Sequence, residues 1–410
     1  MTQPLCRHCA HPLTDTVFDL GFAPPSNAYL EPADLARPEH TFPLTIHVCP
    51  SCFLVQTADF TSRELLFDKD YAYFSSTSQG WLKHAADYAS MIIERLDLSA
   101  ESFVIEVASN DGYLLRNFVA AGIPCLGIEP TKSTAQAAAA LGIPVRQEFF
   151  GRGLGEDLAA RGQRADLIAG NNVFAHVPDI NDFTEGLAAA LKPEGVITLE
   201  FPHLLRLVEH CLFDTVYHEH FSYLSLGTVV RIMHRAGLRV FDVEELPTHG
   251  GSLRVYACHA GSAHAETPRV AAVLDAERAA GLEHTATYAG LQSRAVAIKH
   301  ALLRFLLDAA ASGKSVAGYG AAAKGNTLLN FAGVRPDLLP RVADAAPSKQ
   351  GKLLPGSHIP IVAPEALRAE RPDYVIILPW NIAAEVRDQL ADLAAAGTRF
   401  VTCLPELVIH

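Results

Sequence analysis

The residues best able to do chemistry fall into three groups. Cys6-x2-Cys9 and Cys49-x2-Cys52 are two close pairs. Each can present two thiolates to one tetrahedral ion, and together they complete a closed four-sulfur site that holds a fold and does not activate water. Two local disulfides or a redox pair are the competing reading, and His8 and His47 beside the cysteines are second-choice ligands. The second group is Tyr217-His218-Glu219-His220, between two apolar segments, with His176 upstream. So many polar groups in one short loop are costly to bury without a role. On a strand His218 and His220 would share a face, but no third metal ligand is evident nearby. Acid–base chemistry needs a histidine oriented by a carboxylate or a phenol, which suits the tetrad better. A structural hydrogen-bond network is the alternative.

The third group is the turn Glu106-Val107-Ala108-Ser109-Asn110-Asp111-Gly112. Small residues there let the main chain approach a ligand, and Gly112 permits tight entry to a helix. A second strand ends at Glu129-Pro130, where a carboxylate can accept hydrogen bonds from both ribose hydroxyls. This arrangement is common to nicotinamide-dinucleotide and S-adenosylmethionine binders. A G-x-G-x-x-G fingerprint is absent, which disfavours a pyrophosphate under this helix and suits S-adenosylmethionine. Asn171 and Asn172 stand at the end of a third strand, where ligands of parallel sheets sit; a polar turn before a helix opened near Asp179 and Asn181 is compatible with that role.

These groups need elements to position them. Residues 1–75 hold the cysteines and a Pro-rich stretch with little helical periodicity, as a small metal-stapled module would. Apolar residues at helical spacing from Trp81 to Ile93 predict a helix over 76–100. From residue 102, strands (102–109, 125–130, 166–174, 195–202) alternate with helical segments, which predicts a parallel sheet covered on both faces. The strands 238–246 and 252–259 are close enough to form an antiparallel hairpin, the layout of class I methyltransferases. An Ala-rich periodic stretch over 265–312 predicts one long helix or two. Gly318–Asn330 then repeats the strand–turn–helix theme, with further strands at 373–380 and 399–405. The fold class is therefore α/β: a zinc-binding module over 1–75, a Rossmann-like class I methyltransferase domain over 76–262, and a second Rossmann-like domain over 263–410.

With 410 residues, 49% hydrophobic and 19% charged, the chain reads as globular and multidomain. A formal net charge of −12 argues against general nucleic-acid binding. The first ten residues lack the apolar core of a signal peptide, and no run of about 18 apolar residues predicts a membrane span. Cys125, Cys211, Cys258 and Cys403 are scattered in apolar segments as buried thiols are, so a cytoplasmic location is expected.

The cysteine quartet, YAYFSSTSQGW (71–81), EVASNDGYLL (106–115), NNVFAHVPD (171–179), YHEHFSYLS (217–225), HGGSLRVY (249–256), GYGAAAKGNTLLN (318–330) and SKQGKLLPGSHIPI (348–361) together resemble the sugar C-methyltransferase family, in order and over essentially the whole chain. Members methylate C3 of dTDP-4-keto-sugars. The resemblance implies a zinc module, an S-adenosylmethionine domain and a nucleotide-holding C-terminal domain. It implies that His220 is the catalytic base, with Tyr217, Glu219 and His176 around the sugar, and that the protein is a monomer. Where many other methyltransferases have glycines this turn reads Ala108-Ser109, so cofactor contacts there follow by position only.

A ketone acidifies the neighbouring C–H, so His220 is expected to remove the C3 proton while His176 or Tyr217 donates to the enolate oxygen. Glu219 would orient the ring or handle a second proton. Tyr71, Tyr73 and Ser76 could meet the base and phosphates. Lys324 and Asn326 lie in the second Gly-rich turn, and Ser348, Lys349 and Lys352 in a later loop; both could serve the diphosphate. That second turn could equally have only a packing role. Rival functions are an NAD-dependent oxidoreductase using Gly318–Gly325 with Asp344 as ribose ligand, a non-catalytic zinc protein, and a C-methyltransferase of a non-sugar carbon acid.

Overall fold

A computed structural model describes residues 3–58 and 74–410. Three sheets organise them. The first is antiparallel, in the order β1 (Asp15–Ala23), β2 (Phe42–Val48), β3 (Val55–Thr57), β9 (Ser222–Tyr223). β9 comes from the stretch of sequence that carries the second sheet, so the N-terminal module is sewn to that part by Val55↔Tyr223 and Gln56↔Ser222 pairing.

The second sheet carries seven strands in the order β10-β11-β8-β7-β4-β5-β6. β4 (Val104–Val107), β5 (Cys125–Ile128), β6 (Val145–Arg146), β7 (Ala165–Asn171) and β8 (Leu191–Pro202) run parallel. β11 (Ser252–His259) is antiparallel to both β8 and β10 (Leu238–Leu246), as the expected hairpin requires. β4, β5 and β7 are buried on both faces, and their Val/Ile/Leu-rich sequences match that placement. The helix before β8 stops at Ala190, and Lys192–Gly195 follow as a bulge where the register of β8 with β7 slips.

The helix Gln79–Leu96 packs on this sheet through Ala85, Tyr88, Ala89 and Ile92, recurring at helical steps. Its start is set by Ser78, whose side chain accepts from Trp81 N. Beneath it lies Glu200, fully buried, receiving Arg254 Nη2 at 2.8 Å, His84 Nε2 at 2.9 Å and Thr248 Oγ1 at 3.0 Å. Burial alone would raise its pKa, but His84 and Arg254 outweigh that and hold the carboxyl below its usual range.

The Ala-rich stretch forms two helices, Pro268–Ala279 and Leu291–Ala311. The third sheet follows, in the order β14-β13-β12-β15-β16-β17. β12 (Val316–Tyr319), β13 (Val342–Ala343), β14 (Ile361–Val362), β15 (Tyr374–Ile377) and β16 (Arg399–Thr402) are parallel, and β17 (Val408–Ile409) is antiparallel. This is the second Rossmann-like unit. No helix among the described residues is long and apolar enough to cross a membrane.

Candidate active site and metal centre

The four cysteine sulfurs lie within 4.8 Å of one another, with Cys6 and Cys52 at 3.5 Å and Cys9 and Cys49 at 3.5 Å. A disulfide would bring a pair to about 2.05 Å. Four thiolates at about 2.3 Å from a tetrahedral zinc are separated by about 3.8 Å. The donor set and spacing therefore fit zinc, with Cys6, Cys9, Cys49 and Cys52 as ligands. Gln56 Nε2 donates to Cys6 Sγ at 3.2 Å and Ser51 N to Cys49 Sγ at 3.4 Å, which steadies sulfurs carrying negative charge. The neighbouring histidines turn elsewhere. His8 Nδ1 meets Asn181 Oδ1 at 2.8 Å and His47 Nδ1 meets Thr16 Oγ1 at 3.4 Å.

At the C-terminal end of β4 the chain makes a strained turn. Ala108 and Asn110 both hold positive φ, 56° and 50°. Asn110 N donates to Glu129 Oε2 at 2.9 Å, and Thr131 N to Glu129 Oε1 at 2.8 Å. Glu129, expected as the ribose carboxylate, thus ties the turn after β4 to the end of β5. Ser109 is fully buried and lies over Gly127 of β5, where a Cβ would come within 2.4 Å of its hydroxyl. Ser75 N binds Asn110 Oδ1 at 2.9 Å and Ser76 N binds Asp111 Oδ2 at 3.1 Å, so Ser76 sits against the cofactor turn through its main chain. Tyr71 and Tyr73 lie outside the described residues.

Buried polar atoms without partners among the described residues collect here: Ser109 Oγ, Asp111 Oδ1, both ends of the Asn171 amide, and Asn172 Oδ1. Such atoms call for a ligand, and the set fits the hydroxyls and amino-acid end of S-adenosylmethionine. Glu106 is fully buried, facing the Tyr113 hydroxyl and the Leu115 amide, and burial together with Glu129 and Asp111 drives its carboxyl well above the usual range. Gly112, at φ 80°, turns the chain into the next helix.

The structure gathers His176, Tyr217, Glu219 and His220 in one place. His220 Nδ1 lies 2.8 Å from Thr215 O, and Nε2 lies 2.6 Å from Tyr217 Oη. A carbonyl only accepts, so Nδ1 carries the proton and Nε2 keeps a lone pair that receives the Tyr217 hydroxyl. His176 packs edge-on at 4.6 Å between ring centroids. Burial, with His176 adding to it, holds His220 well below its usual pKa, and burial brings His176 down to about 4. Both rings are neutral at pH 7. His218 does not join them: its Nε2 donates to Pro43 O of β2 at 3.2 Å. That removes the paired-histidine metal arrangement.

Sequence reasoning missed four residues around these side chains. Asn27 donates twice to Glu219 Oε1. His249, at φ 55° and brought to about 4 by burial and then by Lys324, meets Asn172 Nδ2 at 3.0 Å. Trp380 Nε1 donates to Asp214 Oδ2 at 2.7 Å, and its ring seats on Gly250, where a Cβ would come within 2.3 Å. Burial raises Asp214 to about 6. Doubled glycines after His249 mark a close approach, but nothing local names the partner.

The second Gly-rich turn brings Lys324 close enough to act on His220 and His249. Its ammonium lies 3.1 Å from Asn381 Oδ1 and 4.9 Å from the Trp380 ring centre, and burial lowers its pKa against the pull of Asp214. Asn326 Nδ2 donates to Ser26 O at 2.6 Å. Ser348 is exposed, while Lys349 Nζ is bound to Ala321 O at 2.9 Å. Asp344 accepts from Ala321 N at 2.7 Å and Ala346 N at 2.8 Å, so both oxygens are engaged by the chain itself.

Known families match along the chain: a zinc binding domain over residues 6–67, a methyltransferase domain over 81–243 and a C-methyltransferase C-terminal domain over 247–405. The chain is 35% identical over 401 residues to C-methyltransferase NovU of Streptomyces niveus, covering 98% of this chain and 95% of that one. The chain belongs to the C-methyltransferase family. It is an S-adenosylmethionine-dependent C-methyltransferase with an N-terminal zinc-binding module. Solved structures similar to part of this C-methyltransferase include the magnesium protoporphyrin IX methyltransferase of Synechocystis PCC 6803 (13% identity, 44% of this chain, 80% of that chain, TM-score 0.34). Another is an S-adenosylmethionine dependent methyltransferase of Mesorhizobium loti (14% identity, 43% and 99% covered, TM-score 0.33).

Proposed function

We propose that this C-methyltransferase methylates C3 of a nucleotide-linked 4-keto-deoxysugar, dTDP-linked, with His220 as the base. The observation that carries this is the fixed tautomer of His220: Thr215 O holds the Nδ1 proton, leaving Nε2 as a neutral, buried acceptor. A carbon acid needs such a base, and an adjacent ketone to stabilise the carbanion. Substrate entry turns the Tyr217 hydroxyl from Nε2 to the ketone oxygen, which frees the lone pair for the C3 proton and supplies a donor to the enolate. His176, neutral and packed on His220, walls the base off from water. Bound S-adenosylmethionine supplies an electrophilic methyl group and leaves as a neutral thioether. Glu106, Ala108–Gly112, Glu129, Pro130, Asn171 and Asn172 would hold it, so the protein's task is alignment.

The diphosphate finds the helix Ala323–Ala332, whose first turn has no side-chain cap, and Lys324 within it. Asn326 is close by, and Ser348 and Lys349 flank the turn from the later loop. The nicotinamide reading is less favoured, because the chain belongs to the C-methyltransferase family. The chain functions as a monomer in the cytoplasm on this reading. The test is incubation with nucleotide 4-keto-6-deoxysugars in deuterium oxide, with and without S-adenosylmethionine. Carbon methylation with the cofactor, deuterium uptake at C3 without it, and loss of both in His220→Ala are expected. Neither reaction on any such sugar would sink the sugar assignment and direct the search to other carbon acids.

A further inference from the structure

The Pro24-Pro25-Ser26-Asn27 segment leaves β1 of the zinc-binding module and runs between Glu219 and the C-terminal unit. Its course is pinned from the C-terminal unit. Asn326 Nδ2 donates to Ser26 O and Tyr29 Oη to Ala321 O, each at 2.6 Å, and Leu30 pairs with Leu353. A turn closed by Ala28 N to Pro25 O, 3.1 Å, directs Asn27 at the catalytic loop. There its main-chain N–H and its Nδ2 both reach Glu219 Oε1 at 3.3 Å. Glu219 is 1% exposed, and its Oε2 has no partner among the described residues. Two donors on one oxygen fix the plane of the carboxyl and leave the other oxygen for a group the chain does not supply.

We propose that Asn27 is a positioning residue for the reaction: it anchors Glu219 Oε1 so that Oε2 meets the substrate. This rests on the catalytic reading given above. It makes the zinc-binding module part of the active site, because Asn27 lies on the chain between the two cysteine pairs. Electrostatics agree with the geometry. Burial raises Glu219, and amide donors, those of Asn27 among them, oppose the rise. Among the described residues, the other titratable groups facing Glu219 are Tyr29 on the same segment, Tyr223 on β9, and His176, whose ring bonds the Glu219 main chain. Burial drives both tyrosines far up and His176 to about 4, so all three are neutral at pH 7. Its chain neighbours His218 and His220 are likewise held below their usual range by burial. The Asn27 donors thus favour the ionised carboxyl together with the main-chain N–H groups of Glu219 itself and of Ser26.

The test uses the zinc-loaded full chain. Asn27→Asp keeps the shape, removes the NH2 donor and adds an acceptor; Asn27→Ala removes the side chain. The infrared carboxyl band of Glu219, assigned by its loss in Glu219→Gln, is titrated from about pH 4 to about pH 9 without substrate. Its midpoint is expected to rise by about one pH unit in Asn27→Ala and further in Asn27→Asp. With substrate, kcat should fall about tenfold while S-adenosylmethionine affinity and zinc content hold. An unmoved midpoint overturns the proposal, as does activity lost only in step with zinc or melting temperature. The infrared arm needs no sugar. If the wild type methylated none, the catalytic reading would fail while the Asn27–Glu219 coupling could still be read.

Discussion

Tyr217→Phe tests the assignment of the lone pair on His220 directly. The substitution removes one atom, the hydroxyl 2.6 Å from Nε2, and leaves the ring that packs 3.9 Å from the imidazole centroid. The Thr215 carbonyl accepts from Nδ1–H whether the ring is neutral or charged, so it does not oppose protonation. The Tyr217 hydroxyl can donate to Nε2 only while Nε2 is unprotonated, and it must reverse when a proton arrives. It therefore favours the neutral ring. A neutral hydrogen bond contributes about 1 kcal/mol net, and about 1.4 kcal/mol is one pKa unit, so the His220 pKa should rise by about 0.7 unit in the variant. It should stay below the usual histidine value, because burial and His176 still act on it. The sign for stability follows. A histidine whose folded pKa lies below its unfolded value contributes stability above the unfolded pKa, about 6.5, and loses it as pH falls toward the folded one. The variant loses less of that stability in acid. Nitrogen-15 NMR of labelled histidines, with His220 assigned by His220→Asn, reads both the tautomer and the midpoint. The acid limb of deuterium exchange at C3 should move by the same amount. A proton found on Nε2 in the wild type, or a midpoint in Tyr217→Phe that stays or falls, would refute the reasoning.

Three further outcomes are expected. Metal analysis should find one zinc per chain, and strong chelation or Cys52→Ala should lower the melting temperature by unravelling the module that β9 ties to the catalytic sheet, since four-thiolate zinc supplies folding energy. Arg254→Met leaves Glu200 charged and fully buried, a change that costs about 3–5 kcal/mol and should show as a large fall in thermal midpoint; Glu200→Leu with Arg254→Met should recover much of it, and equal losses for both would contradict the pairing. Gly127→Ala puts a methyl 2.4 Å from Ser109 Oγ and should push the cofactor turn, lowering S-adenosylmethionine affinity by about tenfold in calorimetry; adding Ser109→Ala should restore only part, because Ser109 Cβ itself lies 3.0 Å away.

What could be read in the sequence was what short stretches decide. Two C-x2-C pairs are local turns, and their sulfurs meet in the structure despite the long segment between them. Strand patterns over 102–109 and 166–174 are clear because those strands are covered on both faces. The catalytic loop stood out because buried histidines and a glutamate are expensive, whatever holds them. The groups that hold them carried no such mark. Asn27 in a Pro-rich stretch looks like any turn residue, and Trp380 after a strand like any interface aromatic. Each gains its meaning only when three sheets meet: Asn27 reaches across to Glu219, Trp380 to Asp214 and Gly250. β9, two residues long, is too short for any pattern, yet it fixes the N-terminal sheet beside His220. Residues whose own chemistry is costly to bury are therefore visible one at a time. The residues that make burial tolerable are visible only as pairs: Asn27 with Glu219 and Trp380 with Asp214 join different sheets' territories, while Thr215 with His220 and Arg254 with Glu200 lie within one.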